Sequence, residues 1–187
     1  MYTFLIPLLL GFALNSASAF TATYSRHWGE RGGRLTSSIL RNVLGIPVWV
    51  IGLVLALRTP SPRLFTSSMI TGTLGWLVIV AGSVTISFSL LALGWRAAMP
   101  SVRDALVVHG LYAHLRHPIY SGMLLEFAGL LLLSPTLAVV VACVLGVGWT
   151  LVQARLEEMD LVERLPAYRE YMKRVPRFVP RLRKPST

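Results

Sequence analysis

The sequence predicts an all-α integral membrane protein: about five transmembrane helices and a cytoplasmic carboxy-terminal amphipathic helix. Three observations predict it. Apolar residues make up 54% of the 187 residues and charged residues 14%, where a soluble domain carries about 25% charged residues. Mean hydropathy is +0.62. The few charges are unevenly placed, leaving uncharged runs long enough to cross a hydrocarbon core, which takes roughly 20 residues. The apolar content excludes a disordered chain. One cysteine, Cys143, excludes a disulfide scaffold. The net charge of +10 would suit nucleic acid, but in a membrane chain Arg-rich cytoplasmic loops account for it, so no nucleic-acid partner is expected.

Tyr2 to Tyr24 is uncharged and reads as the first span. Ile39 to Leu57 is the second, with Arg41 and Asn42 near its start, where an arginine can snorkel. Met69 to Gly94 is uncharged throughout and forms the third. From Ile119 to Val152 the single charge is Glu126, and this run is too long for one helix across about 30 Å of hydrocarbon. Ser134-Pro135 divides it, because proline disfavours the helical region at the preceding residue. Two short antiparallel helices result, the fourth and fifth spans. With the amino terminus outside, 16 of the 18 Lys and Arg fall on one side, leaving Arg58 and Arg63 on the other; the basic side is cytoplasmic. Met1 to Ala19 ends in Ser-Ala-Ser-Ala, similar to a signal-peptide cleavage site, but lacks a basic leading region. The chain reads as one membrane unit over 1–187: three amino-terminal spans in 1–95, a polar-flanked hairpin region in 102–180 and a basic tail in 181–187. A short chain with no further spans suits a bacterial inner membrane.

Polar residues gather in two places, Val108–Gly122 and Gln153–Pro180. Both lie on the cytoplasmic side, at the start of span four and the end of span five, and the Ser134-Pro135 reversal brings them together. The first cluster holds His109, Tyr112, His114, Arg116, His117 and Tyr120. Metal ligation is disfavoured, since no Cys is near and zinc takes three or four ligands at recognisable spacing. A plain interfacial belt of Tyr and Arg accounts for these residue types as well as a functional site does. The second cluster reads as an amphipathic helix carrying adjacent Glu157 and Glu158. Arg155 and Glu158 are spaced to pair, and Tyr168 and Tyr171 share a face. Its prolines, Pro176 and Pro180, favour an extended segment after the helix. Basic residues from Lys173 to Lys184 suit anionic lipid. Two carboxylates directly after a span instead suggest a cationic ligand or an internal arginine partner. Glu126, about two turns into its span, is either a substrate contact or a hydrogen-bonded packing residue.

His109-Gly110-Leu111-Tyr112 followed by Arg116-His117-Pro118-Ile119-Tyr120-Ser121-Gly122 resembles the signature of isoprenylcysteine carboxyl methyltransferases, a family related to membrane phospholipid N-methyltransferases. Arg155-x-Glu157-Glu158, Tyr168-x-x-Tyr171 and Val175-Pro176-Arg177-Phe178-Val179-Pro180 resemble its second block, in the right order. Arg164-Leu165-Pro166-Ala167 stands where that block usually has Phe-Gly. The resemblance implies an S-adenosylmethionine-dependent methyltransferase with a lipophilic or lipidated acceptor arriving from the bilayer. It implies Tyr112, Arg116, His117, Pro118, Tyr120, Gly122, Glu157, Glu158, Tyr168 and Tyr171 as cofactor-binding residues. By the same resemblance Arg155 stands for the family's basic residue near the acceptor; with Glu158 and His117, the residues able to act as a base, it makes up the expected catalytic set, and Glu126, ionisable within its span, is a further expected acceptor contact.

A carboxylate acceptor is ionised near neutral pH and needs no base; a lipid amine would need one, with Glu158 or His117 as candidates. Carboxylate O-methylation is favoured. Two other functions compete: a nicotinamide-dependent membrane reductase of the sterol-reductase type, and a non-catalytic lipid-binding adaptor that would use the tail alone. Nothing in the sequence requires a protein partner.

Overall fold

The computed structural model describes residues 2–180. The basic tail expected over 181–187, with Arg181, Arg183 and Lys184, lies outside them. Among the described residues the secondary structure is helical, apart from one isolated bridge between Arg63 and Thr136. Helix α1 is Leu5–Ala17 and α2 is Thr21–Ser38. A π-helical segment, Ile39–Gly45, leads into α3, Ile46–Arg58. Helix α4 is Met69–Leu93, α5 the short Trp95–Ala98, α6 Pro118–Leu133, α7 Leu137–Arg164 and α8 Tyr168–Arg174.

Among the described residues three helical stretches are long and apolar enough to cross a membrane: Thr21–Arg58, Met69–Leu93 and Leu137–Arg164. Leu5–Ala17 and Pro118–Leu133 are apolar but shorter. The sequence reading needs correction at the amino-terminal end. The first helix stops at Ala17 instead of running to Tyr24, because Ser18 turns its hydroxyl back onto the Asn15 carbonyl at 2.6 Å and relieves one unpaired helix end. Arg26, Arg31, Arg34 and Arg41 then lie on helical backbone and not in a loop. The π turn sits immediately before Pro47, which lacks the N–H that would bond one turn back and clashes with the carbonyl there. At the other end, the surface helix expected after span five is divided. Residues 153–164 simply continue α7, and Leu165-Pro166-Ala167 separates them from α8.

Helix ends follow from local chemistry. Ser68 and Thr71 form a reciprocal cap at the start of α4, with Thr71 N–H donating to Ser68 Oγ at 3.2 Å and Ser68 N–H to Thr71 Oγ1 at 2.8 Å. Pro118 opens α6, where its missing donor is harmless. The reversal expected at Ser134-Pro135 is present. It is tied to the α3–α4 connection: Leu64 N–H donates to the Pro135 carbonyl and Leu137 N–H to the Pro62 carbonyl, each at 2.8 Å.

Among the described residues the most extensive helix contact is that of α4 with α6, which meet along glycines. A Cβ on Gly82 would stand 2.6 Å from the Gly122 carbonyl oxygen, and one on Gly129 2.7 Å from that of Gly75. Such backbone approach is how helices associate where apolar surroundings give no hydrophobic drive. Glu126 belongs to this contact: it accepts a hydrogen bond from Ser83 on α4 at 2.7 Å. The buried core joins Phe4, just before α1, and Leu8 and Phe12 of α1 to Tyr120, Met123 and Phe127 of α6 and Val139, Ala142 and Trp149 of α7. Phe12 stacks on Trp149 with ring centres 4.5 Å apart.

Gly82→Ala is expected to lower stability by about 1–3 kcal/mol through forced separation of the two backbones. Gly72→Ala, at an α4 position where a Cβ meets nothing, should leave it unchanged or slightly raised. Thermal unfolding of both variants in one detergent provides the comparison.

Candidate functional site

The two polar blocks meet at the end of the helices opposite the 59–68 connection. Gly110 makes the approach possible. Its φ of 59° lies in the left-handed region that side chains resist, and it turns the chain into a short 3₁₀ segment, Gly110–Ala113, that buries Tyr112. The Arg116-His117 pair then leads into α6. The segment after α8 runs alongside: Arg116 N–H donates to the Pro176 carbonyl at 2.9 Å, His117 N–H to Arg177 at 3.1 Å, and Ser121 Oγ to Phe178 at 2.8 Å. Tyr171 adds a further tie, its hydroxyl donating to the Tyr112 carbonyl at 2.6 Å. The extended segment the prolines dictate is therefore an inserted strap.

The two adjacent glutamates have different tasks. Glu158 is 1% exposed. Its Oε1 receives Arg177 Nε at 3.1 Å, His117 Nε2 lies 3.2 Å away and Arg116 Nη1 3.3 Å away, while Arg177 Nη2 pairs with Oε2. Arg155, which the spacing allowed to pair with Glu158, is exposed on α7. It has lost that carboxylate to two guanidinium groups from elsewhere in the fold. Glu157 faces a cavity of about 440 Å³. Its Oε1 accepts from the Tyr120 hydroxyl at 2.6 Å and from Gln153 Nε2 at 3.2 Å, and lies 3.4 Å from Arg41 Nη2.

Tyr112, Arg116, His117, Tyr120, Glu157, Tyr168 and Tyr171 all line this cavity. Pro118 and Gly122 do not; Pro118 begins α6, and Gly122 packs on Gly82. Glu158 stands behind the wall, Arg155 lies outside it, and Glu126 is engaged with Ser83. His109 and His114 are exposed. Sequence reasoning missed the contribution of the amino-terminal half: Asn15, Arg41, Asn42 and Trp49 also form the wall, as do Arg96, Asp104 and Arg164. The available signal was polarity in apolar runs. Asn15 and Gln153 are polar residues in membrane-length segments, and Gln153 Nε2 reaches the Asn15 carbonyl at 3.5 Å. Arg164, in the departure from the family pattern, bonds Asp160 Oδ2 at 2.6 Å and the Ser101 carbonyl at 2.5 Å, closing the 99–107 loop over the opening.

The site carries unused hydrogen-bonding capacity. Among the described residues that line the cavity, Tyr168 Oη and Arg116 Nε are buried without a hydrogen-bond partner, which is costly unless a ligand or water completes them. Burial pushes the Tyr171 phenol up to about 12 and those of Tyr112 and Tyr168 well above their ordinary value. All three remain neutral donors at neutral pH, so the wall offers aromatic faces, the carboxylates of Glu157, Asp104 and Asp160, and several guanidinium groups. That set fits a ligand combining a cation, polar edges and an aromatic plane.

The family profile described as phospholipid methyltransferase matches residues 68–167. A cobalt-zinc-cadmium resistance protein, CzcN, from Cupriavidus metallidurans is 32% identical over 156 residues, covering 79% of this chain and 68% of that one. A methanethiol S-methyltransferase from Pseudomonas deceptionensis is 35% identical over 121 residues, covering 59% of this chain and 44% of the relative, so the match spans less than half of that protein. No solved structure matches.

Two outcomes are expected of the site itself. Glu158→Ala leaves Arg116, Arg177 and His117 without their shared carboxylate and should cost about 3 kcal/mol or more, whereas Arg155→Ala should be near neutral, as read by unfolding in detergent. The buried phenols set an alkaline limit. The folded state favours their neutral form, so their contribution is complete below pH about 10 and is lost as the pH rises through the folded value of about 12 at Tyr171. Ultraviolet phenolate absorbance followed against pH should show these rings titrating together with unfolding, and Tyr171→Phe should remove one of them.

Proposed function

The chain belongs to the phospholipid methyltransferase family, and from that premise we propose that it uses S-adenosylmethionine to methylate a lipophilic acceptor at the membrane, in the manner of the isoprenylcysteine carboxyl methyltransferases. The observation that carries this reading is Glu157, the one glutamate of the pair that faces the cavity formed where the two sequence blocks meet. A carboxylate there offsets a sulfonium or ammonium charge, and the unpaired Tyr168 hydroxyl and Arg116 Nε belong to residues that line the same cavity, where the cofactor's polar edges would meet them. Bound there, the cofactor supplies an electrophilic methyl group. The protein's own contribution is positioning and exclusion of water.

Tyr120 and Gln153 fix the direction of the Glu157 carboxylate. Glu158 fixes His117 and, through Arg177, the strap beside it. Glu158 is thereby committed to structure, and His117 is the remaining candidate base if the acceptor is an amine. A carboxylate acceptor, which needs no base, remains the favoured substrate, and Arg41, Arg96 and Arg164 on the cavity wall suit its charge. Arg155 is replaced in that part. The acceptor's apolar portion would reach the cavity from the bilayer between α3 and α4. These helices pack against α1 and α6 respectively and present Ile46, Trp49, Leu90 and Leu93 to the cavity.

In this reading α1, the π segment with α3, α4, α6 and α7 make five passes through a bacterial inner membrane, with the amino terminus outside and the site at the cytoplasmic face. The short α1 and α6 cross where neighbours and interfacial side chains accommodate the mismatch. Residues 1–187 act as one unit.

Calorimetry in detergent should show S-adenosylhomocysteine binding and NADPH not binding. The reverse preference would identify a reductase, and no binding of either an adaptor. Glu157→Gln should weaken S-adenosylmethionine binding by about tenfold, the scale of one charge-assisted contact. Transfer of labelled methyl from the cofactor into membrane lipid extracts then identifies the acceptor.

A further inference from the structure

Arg41 is unusual among the cavity's guanidinium groups. It comes from the π-helical segment, outside the residues that match the family profile. It holds three separate parts of the fold by long contacts: Ser18 Oγ at 3.3 Å, the Ala97 carbonyl at 3.3 Å and Glu157 Oε1 at 3.4 Å. Its neighbour Asn42 donates to the Ala98 carbonyl at 2.8 Å, so two consecutive residues fasten α5 beside the cavity. The Glu157 oxygen that Arg41 touches already holds the Tyr120 hydroxyl at 2.6 Å. Glu158, by comparison, is held by two guanidinium groups and an imidazole. Arg41 is thus a guanidinium only loosely paired with the cavity-facing Glu157, whose other oxygen has His117 Nδ1 3.9 Å away.

Resting on the cofactor reading above, we propose that Arg41 is a positioning residue that exchanges with the cofactor's cationic centre on Glu157. Two cations near one carboxylate compete for it. When the charged methyl donor is bound, Glu157 is taken up by the ligand and Arg41 loosens. Methyl transfer breaks the carbon–sulfur bond, leaves its electron pair on sulfur as a neutral thioether, and forms the bond between the acceptor lone pair and the methyl carbon. The sulfur has then lost its positive charge, so the sulfonium no longer competes and Arg41 returns to Glu157. Arg41 therefore sets how strongly the site distinguishes charged donor from neutral product, and its return favours product release.

The test is the ratio of two affinities, measured by calorimetry on the full chain in detergent without acceptor: S-adenosylmethionine against S-adenosylhomocysteine. Arg41→Ala removes the competing charge and should raise the preference for the charged ligand by about tenfold, a typical coupling. Arg41→Lys should keep the ratio near that of the unaltered protein. Glu157→Gln should lower it, and Arg41→Ala should add nothing in that background. If Arg41→Ala weakens both ligands alike, its role is only structural and the proposal is overturned. Should that variant fail to fold, Glu157→Gln decides alone: an unmoved ratio overturns the exchange. If the unaltered protein binds neither ligand, the cofactor reading itself fails, whereas binding of both with an unmoved ratio removes only the role of Arg41.

Discussion

The arrangement depends on one buried carboxylate. Glu158 is almost completely withdrawn from solvent, and an ionised group there persists only if its charge is matched and its oxygens are bonded. The matching groups come from both ends of the hairpin region: Arg116 and His117 before α6, and Arg177 beyond α8. The carboxylate therefore acts as the point where three chain segments are obliged to converge. The strap from Pro176 to Phe178 adds backbone bonds along the same line, and the cavity is the space left on the other side of His117. The site and the fold are held by the same contacts.

Convergence at that point requires α6 and α7 to return side by side, and it requires α6 to stay close to α4. The turn at Ser134-Pro135 provides the first and the glycine seam provides the second. The seam also explains Glu126. A carboxyl group in an apolar segment needs a partner, and the close approach of Gly82 and Gly122 brings Ser83 within reach. Where helices come this near, a polar side chain finds its hydrogen bond across the interface and serves packing.

Much of this was legible in the sequence, for identifiable reasons. The reversal was legible because proline chemistry is local, and the meeting of the two polar blocks followed from it. The segment around Pro176 was legible as extended, although its insertion beside Arg116 was not, since backbone pairing across the fold leaves no local pattern. The end of α1 was not legible: hydropathy continues through Phe20 to Tyr24 while the backbone bonds stop at Ala17. Glu157 and Glu158 were legible as a pair but not in their division of labour, which depends on which helix face receives the foreign guanidinium groups. Arg155 shows the same limit, because a neighbour at helical spacing yields when tertiary partners are better placed. Arg41 looked like a residue that snorkels to an interface, and the same stem and charge serve equally well as a wall of a cavity.

The connection 59–68 has a bearing on movement. It stitches the tip of the α6–α7 reversal by backbone bonds at Leu64 and Leu137, at the end remote from the ligand space. Helices fastened at one extremity and held by side chains at the other behave like the arms of a clothespin. Any breathing of this pair will pivot about the stitched tip, and its amplitude will grow along the arms. The part of α7 that projects beyond the start of α6 lies farthest from that stitch, which leaves the Glu158 ion pairs as the contacts that hold the arms together there.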